Sequence, residues 1–378
     1  MKIKVNSTAL KNAVKDVQKA LDKKPVLDIL RCIIIDAEKN AVFLKTADAE
    51  ISVVRKLTAE IEEHGKTAAV FENGLSAALN LPDGEITITA DDKQLTITYP
   101  NGTFSLPVKN ADYFPPAKSP NNDAETISLP TKLMATAIPQ AIPALSTTEV
   151  HRILCYICFD FSEDSLNVVG CDGRMMVCNR IKGSFGQPKQ IAISAKAGQV
   201  LLALSKETPV IKMRTDGERA VFSDGEIFSM YVTLAVVGHY PDYNAIISPI
   251  RENIHLRADL DRKELIGSLG RLMAFSSADS LARLSFTYNS LTIHSRDMDF
   301  NKQSEETLSC STGGDTSEME IGMNGRNMKS MLAVLPTDNV CLLLQDASRA
   351  MLIEPIVPEY EGGMATEILL MPMYLNKA

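Results

Sequence analysis

The chain has 378 residues, which at about 150 residues per domain predicts two or three domains. Its 47 acidic residues outnumber its 39 basic residues, so the net charge of −8 excludes a uniformly basic coat for nucleic acid and allows at most one basic face. The sequence has no run of 18 apolar residues and no apolar leader after Met1, and its seven cysteines are widely spread. We therefore expect a soluble cytoplasmic protein with reduced thiols and no contact with a membrane.

A strand followed by a capped helix opens the chain and returns twice. Residues 3–10 alternate apolar and polar, pass a Ser or Thr typical of a helix cap, and enter an apolar helix that runs to about residue 21. The same order returns at residues 127–133 and at residues 254–260, the last with a helix through about residue 273. Three units of nearly equal length indicate an internal repeat.

A second pattern lies inside each repeat. A strand, a short helix, a turn and further strands follow one another in residues 69–89, 191–213 and 319–344. Linkers are predicted near the proline-rich residues 115–122 and near residues 248–249. The sequence therefore predicts an α+β fold of three domains, each with two helices and antiparallel sheets, over residues 1–124, 125–249 and 250–378.

The sequence lacks the motifs of common enzymes. Residues 64–67 (His-Gly-Lys-Thr) look like the end of a phosphate-binding loop, but Glu60 stands where that loop needs its first glycine. No G-x-S-x-G, H-E-x-x-H or G-x-G-x-x-G motif is present. We therefore predict no catalytic residue and no cofactor.

Four cysteines in the middle of the chain raise the question of a metal. Cys155, Cys158, Cys171 and Cys178 include a C-x₂-C pair of the kind that zinc sites use. However, residues 153–161 have the pattern of a continuous strand, in which residues three apart point to opposite faces. We predict that the cysteines pack in a core and hold no metal, with a zinc site as the alternative.

Basic residues are spaced along one face of the first helix. Lys11, Lys15 and Lys19 recur every four residues, opposite an apolar stripe. The plain interpretation is a solvated helix face. The corresponding helices also carry cations although the whole chain is acidic, which favours contact with phosphates without reading of base sequence. These further predicted DNA-binding residues are Lys132, Lys196, Arg262, Lys263 and Arg271.

The end of the sequence is unusually apolar. Residues 368–375 are apolar, although chain ends are normally polar and frayed. They would form a final core strand or an edge strand, since Pro372 cannot donate to a sheet ladder. The apolar side chains of Met371, Met373 and Leu375 beside that proline favour a partner-binding surface.

Four short segments occur together, in this order, in one known family. Residues 24–30 resemble its early proline–leucine strand entry, and residues 171–177 (Cys-Asp-Gly-Arg-Met-Met-Val) resemble its T-D-G-H-R-L-A segment. Residues 240–243 (Tyr-Pro-Asp-Tyr) match its F-P-D-Y, and residues 371–375 (Met-Pro-Met-Tyr-Leu) match its terminal M-P-M-R-L. The family is that of the bacterial sliding clamps, the beta subunits of DNA polymerase III, and the resemblance covers the whole chain.

This resemblance implies a ring that does no catalysis. Two chains would close head to tail into a homodimer of six domains, with twelve helices around duplex DNA, and would tether a polymerase for processive replication. Mobile phosphate contacts, Lys24 among them, would let the ring slide. At the implied dimer interface, Phe104 and Leu106 on one edge face Leu272 and Met273 on the other.

The resemblance also implies a peptide pocket between the second and third domains. Its partners would be tails of the DNA polymerase III alpha subunit, clamp-loader subunits, translesion polymerases and mismatch-repair proteins. Met175, Ala245 and Tyr374 stand where the family often has Arg, so this pocket should be less cationic and more apolar. The implied pocket residues are Leu154, Cys171, Gly173, Met175, Met176, Pro241, Ala245, Ile246, Ala350, Leu369, Leu370, Met371, Pro372, Met373, Tyr374 and Leu375.

Two other classes of protein stay open. A zinc- or thiol-dependent enzyme would hold stoichiometric metal or a cysteine of low pKa. A β-rich scaffold would form no ring and would not bind DNA.

Overall fold

The computed structural model describes residues 1–22, 24–38, 41–121, 124–235, 238–314, 319–356 and 363–375. Asn122 of the predicted linker and the tail Asn376 to Ala378 lie outside these residues. The chain divides into two compact units, Met1–Met134 with Lys196–Val236 and Ala135–Ala195 with Val237–Ala378. Both consist of antiparallel sheets with helices, which confirms the predicted α+β class. Within the described part of the chain, no helix is long and apolar enough to cross a bilayer.

The described residues contain six α-helices: α1 (Ser7–Val17), α2 (Thr131–Ala141), α3 (Ala195–Leu204), α4 (Asn244–Glu252), α5 (Arg262–Leu272) and α6 (Gly325–Ala333). Side-chain caps fix three of their starts. Asn6, Asp261 and Asn324 each accept a hydrogen bond of 2.8 or 2.9 Å from a backbone N–H of the first turn. The cap of α1 is therefore Asn6 rather than the predicted Ser or Thr.

The strands number 26 in the described residues. The first thirteen are β1 (Lys2–Asn6), β2 (Cys32–Glu38), β3 (Ala41–Ala47), β4 (Ile51–Leu57), β5 (Glu60–Glu63), β6 (Gly65–Val70), β7 (Glu85–Ala90), β8 (Gln94–Tyr99), β9 (Gly102–Lys109), β10 (Thr126–Pro130), β11 (Tyr156–Phe161), β12 (Ser165–Cys171) and β13 (Met175–Lys182). The others are β14 (Lys189–Ser194), β15 (Val210–Thr215), β16 (Arg219–Ser223), β17 (Phe228–Thr233), β18 (Leu256–Asp261), β19 (Leu281–Thr287), β20 (Ser290–Asp297), β21 (Lys302–Ser309), β22 (Ser311–Gly314), β23 (Met319–Asn324), β24 (Asn339–Leu344), β25 (Met351–Pro355) and β26 (Met364–Leu370).

In the first unit, 13 strands form one sheet in the order β10-β15-β16-β17-β4-β3-β2-β6-β9-β8-β7-β1-β5. Strand β1 shows how the sequence sets its register. Ile3 and Val5 are buried, whereas Lys2 and Lys4 lie on the other face and pair with Glu62 at 2.6 and 2.7 Å. A shift of one residue would bury both lysines, so the alternation allows one register.

The second unit contains a nine-stranded sheet, β14-β11-β12-β13-β26-β25-β24-β18-β22, and a four-stranded sheet, β21-β20-β19-β23. The last strand of the chain, β26, lies between β13 and β25. The edge-strand interpretation is therefore wrong for residues up to Leu370. Pro372 lies just beyond the strand, where its missing N–H breaks no ladder, and Met373 forms a single bridge with Gly322.

Three local predictions differ from the structure. The short helix predicted within residues 69–89 is the 3₁₀ helix Leu75–Asn80. The strand predicted from residue 153 begins only after the 3₁₀ helix Glu149–Cys155. Residues 248–249, predicted as a linker, lie inside α4. Tertiary packing of the apolar side chains of α4 outweighs the turn preference of Ser-Pro.

Candidate partner groove and DNA-binding helices

A groove of about 550 Å³ follows the C-terminal segment in the second unit. Two backbone hydrogen bonds hold this segment: Met371 N donates to Arg174 O at 2.8 Å, and Met373 N donates to Gly322 O at 2.7 Å. The second contact requires a glycine, because a Cβ on Gly322 would lie 2.5 Å from the Met373 carbonyl oxygen. The backbone thereby fixes Pro372 and its two methionine neighbours beside the groove.

This partner groove has one apolar wall and one polar wall. The apolar wall is Leu370, Met371, Pro372, Met373 and Tyr374, and the rest of the lining is Arg174, Ala278, Asp279, Asn324 and Asn327. Met371 is 43% exposed and Tyr374 is 87% exposed. Apolar anchors next to a few polar groups are typical of peptide and small-molecule sites. The apolar wall was predicted from the sequence, but the polar wall was not. Of the polar wall, the sequence indicates only Asn324, as the cap of α6.

Four other predicted pocket residues are buried in a cluster of the same unit. Their exposures are 6% for Leu154, 3% for Met176, 4% for Ala350 and 4% for Leu369. They pack with tyrosines and with α4 side chains, namely Tyr240, Tyr243, Ile247 and Ile250. In this structure they support the surface and do not form it.

The remaining predicted pocket residues lie on two further elements and at the end of the described chain. Gly173, at a φ of +88°, turns the β12–β13 hairpin, and its N–H donates to the Cys171 sulfur at 3.3 Å. Met175 pairs with Leu370 across β13 and β26. At the start of α4, Pro241 and Ala245 are exposed and Ile246 is 47% exposed, whereas Leu375 is half-buried against Gly322.

Helix α4 is anchored at its start by a buried tyrosine. The Tyr243 hydroxyl donates to Asp160 at 2.5 Å and accepts a hydrogen bond from the Asn167 amide at 2.9 Å. Burial raises the pKa of Tyr243, and the Asp160 carboxylate adds to that shift. The hydroxyl thus stays a neutral donor.

An ionic cluster anchors the end of the same helix. Arg251 Nε donates to Glu367 at 2.7 Å, and its guanidinium also pairs with Glu354. Burial raises the pKa of Glu354 although Arg251 opposes the shift. Helix α4 is therefore fixed to the sheet by one hydroxyl and one guanidinium.

A cleft of about 270 Å³ in the first unit is lined by basic side chains from α1, the 3₁₀ turn after it (Gln18–Ala20), β4 and the residues after α3. The acidic residues Asp16, Glu207 and Asp224 also line it. We call Lys15, Lys19, Lys206 and Arg55 the α1 cation cluster. Arg55 pairs with Asp16 at 2.9 Å. Burial lowers the pKa of Lys19, and nearby Lys206 lowers it further. The sequence missed Lys206 because it lies beyond the end of α3, outside any helical spacing.

Several predicted DNA-binding cations are already engaged within the protein. Lys11 pairs with Asp83 at 3.1 Å, Lys263 with Asp338 at 2.8 Å and Arg271 with Glu306 at 2.7 Å. Lys196 contacts Asp48 at 2.5 Å and donates to Ala20 O and Leu21 O, while Arg262 donates to Thr337 O and Leu332 O. The charges of these side chains are therefore partly neutralised by groups of the protein itself. Lys24 and Lys132 are exposed.

The predicted interface residues differ in exposure. Leu106 is 6% exposed, Leu272 is 1% exposed and Met273 is 9% exposed, and the last two belong to a hydrophobic core of the second unit. Phe104 is half-buried and its ring centroid lies 6.4 Å from that of Tyr99. A charge placed on Leu272 or Met273 would disrupt this core whatever the oligomeric state.

Two strands near these residues have unpaired edges. Strand β9 pairs with β8 along its length but with β6 only at Val108 and Lys109, and β21 ends its sheet. Val108 N donates to Lys93 O and Cys310 N donates to Asn289 O, so by antiparallel alternation the N–H groups of Ser105 and Thr307 face outward.

The four central cysteines do not come together as a metal site. Cys158 and Cys178 lie buried on β11 and β13, on either side of β12. Burial raises the pKa of Cys178 to about 12. Among the described residues no group of three or more His, Cys, Asp or Glu side chains is placed to hold a metal ion. The zinc alternative gains no support from this geometry.

Comparison with known proteins finds sequences and structures that resemble this chain. Residues 1–118 match the family model of the DNA polymerase III beta subunit, N-terminal domain. The beta sliding clamp of Helicobacter pylori is 26% identical, and that of Synechocystis is 24% identical, each over 99% of this chain and 100% of the relative. The crystal structure of the DNA polymerase III beta subunit from Thermotoga maritima has the same fold, with a TM-score of 0.89, 21% identity and coverage of 99% of this chain and 100% of that one.

These matches make the chain similar to the DNA polymerase III beta subunits, the beta sliding clamps: the family model covers its first 118 residues, and the named relatives match almost its whole length. The relatives carry the names of clamps and not of enzymes.

Proposed function

We propose that two copies of this chain close head to tail into a ring around duplex DNA and tether the replicative polymerase for processive synthesis in the cytoplasm. The match to beta sliding clamps over 99% of this chain and 100% of the relatives carries this proposal. The threefold sequence pattern supports three domains, residues 1–124, 125–249 and 250–378, so that the ring would contain six.

The strand edges of β9 and β21 support ring closure. If β9 of one copy pairs with β21 of the other, the outward N–H groups of Ser105 and Thr307 gain partners and two exposed edges disappear. The partly exposed ring of Phe104 adds an apolar contact beside the new pair of strands.

The α1 cation cluster, together with Lys24 and Lys132, supports a DNA-facing surface. Cations at such a surface attract phosphates without recognising bases, and such contacts are weak and exchange quickly. The acidic composition of the rest of the chain discourages binding of DNA elsewhere.

The partner groove supports binding of short peptide tails. We propose that tails of the DNA polymerase III alpha subunit, clamp-loader subunits, translesion polymerases and mismatch-repair proteins place apolar side chains against Met371, Pro372 and Met373. Arg174, Asp279 and Asn327 would then meet polar groups of the same tails.

One experiment tests this function against an enzyme or a scaffold. Light scattering gives the mass in solution, and retention on circular DNA reports topological linkage. A dimer that stays on circles and leaves linear DNA supports the proposal; a monomer, or equal release from both DNAs, contradicts it.

A further inference from the structure

A second groove, of about 410 Å³, lies on one face of the large sheet in the first unit. The registers of β2, β3 and β4 place Ile34, Lys45 and Val54 side by side on this face. Phe43 and Tyr231 line the groove next to them and are half-buried. No part of the partner groove is involved, because that groove lies wholly in the second unit.

The second unit has the same strand arrangement, and there the matching face is covered. Strands β26, β13, β12, β11 and β14 follow the order of β17, β4, β3, β2 and β6, and residues 29–36 (Ile-Leu-Arg-Cys-Ile-Ile-Ile-Asp) correspond to residues 153–160 (Ile-Leu-Cys-Tyr-Ile-Cys-Phe-Asp). In the second unit the places of Ile34, Lys45 and Val54 are taken by Cys158, Val169 and Cys178. These three pack in one cluster with Tyr243, Ile247 and Ile250 of α4 and the residue before it.

The corresponding described residues of the first unit form no such covering helix. Helix α4 follows residues 240–243 (Tyr-Pro-Asp-Tyr), whereas the matching residues 114–116 (Phe-Pro-Pro) lead into residues 117–121, which have no helix. Three prolines, Pro115, Pro116 and Pro120, remove backbone donors from this stretch. Phe114 and Pro115 instead form a rim of the groove, beside Tyr113, which is 77% exposed.

We propose that this first-unit groove is a docking site for a short, neutral, apolar helix of a partner protein, with an aromatic hydroxyl followed by aliphatic side chains on the next turns. The matching face of the second unit is covered in this way by α4 of the same chain. There the Tyr243 hydroxyl donates to Asp160, and Asp36 occupies the equivalent place in the first unit.

The charges of the groove favour such a ligand over a polyanion or an acidic tail. Lys45 Nζ lies 2.7 Å from Asp36 and 3.7 Å from Glu38, so its charge is matched within the groove. Lys66 pairs with Asp112 at 2.6 Å. A neutral helix keeps these pairs intact and covers Phe43, Val54 and Tyr231, which are partly exposed uncharged side chains of this face.

The test uses the full-length protein and one defined probe. The probe is a fluorescein-labelled peptide of residues 243–250 with blocked ends, which contains no charged side chain, and fluorescence anisotropy measures its dissociation constant. We expect saturable binding that V54R weakens at least about tenfold, with F43A as a second variant if V54R lowers the melting temperature. The controls are V210R, on a residue 40% exposed on β15, and Met373→Ala in the partner groove, and both should bind the probe as the parent does.

Three outcomes overturn the proposal. In the first, the probe shows no saturable binding to the protein up to about 1 mM. In the second, V54R and F43A both bind the probe with the affinity of the parent. The third is a concentration-dependent self-association that V54R abolishes, because it would assign the groove to a second copy of this chain.

Discussion

At the level of single residues, the partner groove depends on Gly322. Replacing it with alanine puts a Cβ 2.5 Å from the Met373 carbonyl oxygen and 2.8 Å from a Leu375 methyl carbon, so the C-terminal segment must move off β23. We expect G322A to bind the tail of a DNA polymerase III alpha subunit about tenfold more weakly, because misplaced anchors bury less apolar surface. Fluorescence anisotropy with the labelled tail measures this.

Gly313 provides the matched control for that substitution. A Cβ there would meet nothing within 4 Å, so G313A should bind the tail as the parent does. Equal affinity of G322A and G313A would show that the segment after β26 does not shape the site.

The α1 cation cluster leads to a second prediction at this scale. Removing Lys15 and Lys206 together should reduce the slope of log K against log salt for duplex binding by about 0.9 for each phosphate that is no longer neutralised. The control K11A should change the slope less, because Asp83 already neutralises Lys11. A salt titration of binding to a short duplex distinguishes them, and a larger effect of K11A would contradict this assignment of the DNA-facing cations.

The sequence predicted the spacing of cations but not their partners. The four-residue spacing of Lys11, Lys15 and Lys19 predicted one helix to about residue 21, whereas α1 ends at Val17 and Lys19 lies on the 3₁₀ turn Gln18–Ala20. The engagement of Lys196 by Asp48 does not follow from such spacing, because the two residues are distant in the sequence and meet only through tertiary structure. Local periodicity therefore finds charged faces and cannot tell which charges are already matched.

At the level of elements, the free edge of β21 leads to a test of dimerisation. T307P removes one outward N–H while the ladder with β20 stays paired, and T307A keeps that N–H. We expect T307P to be monomeric at micromolar concentration in sedimentation and T307A to remain dimeric. A dimeric T307P would mean that β21 is not part of the interface.

The ionic cluster under α4 gives a pH prediction. Burial raises the pKa of Glu354 above its ordinary value near 4.5, so folding favours its protonated form. The parent should therefore gain stability relative to E354Q as the pH falls through this raised pKa. We expect the difference in melting temperature, parent minus E354Q, to rise by about 2 °C between pH 7.5 and pH 4.5.

A surface carboxylate serves as the control for this titration. Glu218 is exposed, and the same measurement on E218Q shows what removal of an exposed charge does. An E354Q difference that does not change with pH would show that Glu354 carries no burial penalty.

Helix α4 was not predicted from the sequence. Ser248-Pro249 is a turn signal, and neither it nor the spacing of Tyr243, Ile247 and Ile250 reveals the sheet that the helix covers. The sheet contributes Asp160 from a distant strand, and this contact decides the local structure. Strands such as β1, whose alternation is strict, were predicted well because one face of each had to be buried.

At the scale of the whole molecule, the repeated order of strand and helix in residues 3–10, 127–133 and 254–260 predicted the fold class. It did not predict that the chain divides into two compact units, each assembled from separated segments. The units contain separated segments because strands from different repeats pair with one another. Strand β17 pairs with β4, and β26 pairs with β13. Such long-range pairing leaves no periodic signal in either strand.

The central claim is that the protein acts as a closed ring, and retention on DNA tests it most directly. The protein is loaded onto nicked circular DNA by its clamp loader and transferred to about 0.5 M salt, where the Debye length falls to a few ångströms and phosphate contacts are screened. A closed ring should stay on the circles and be released when a restriction enzyme linearises them. Release from circular and linear DNA at the same rate would contradict a closed ring.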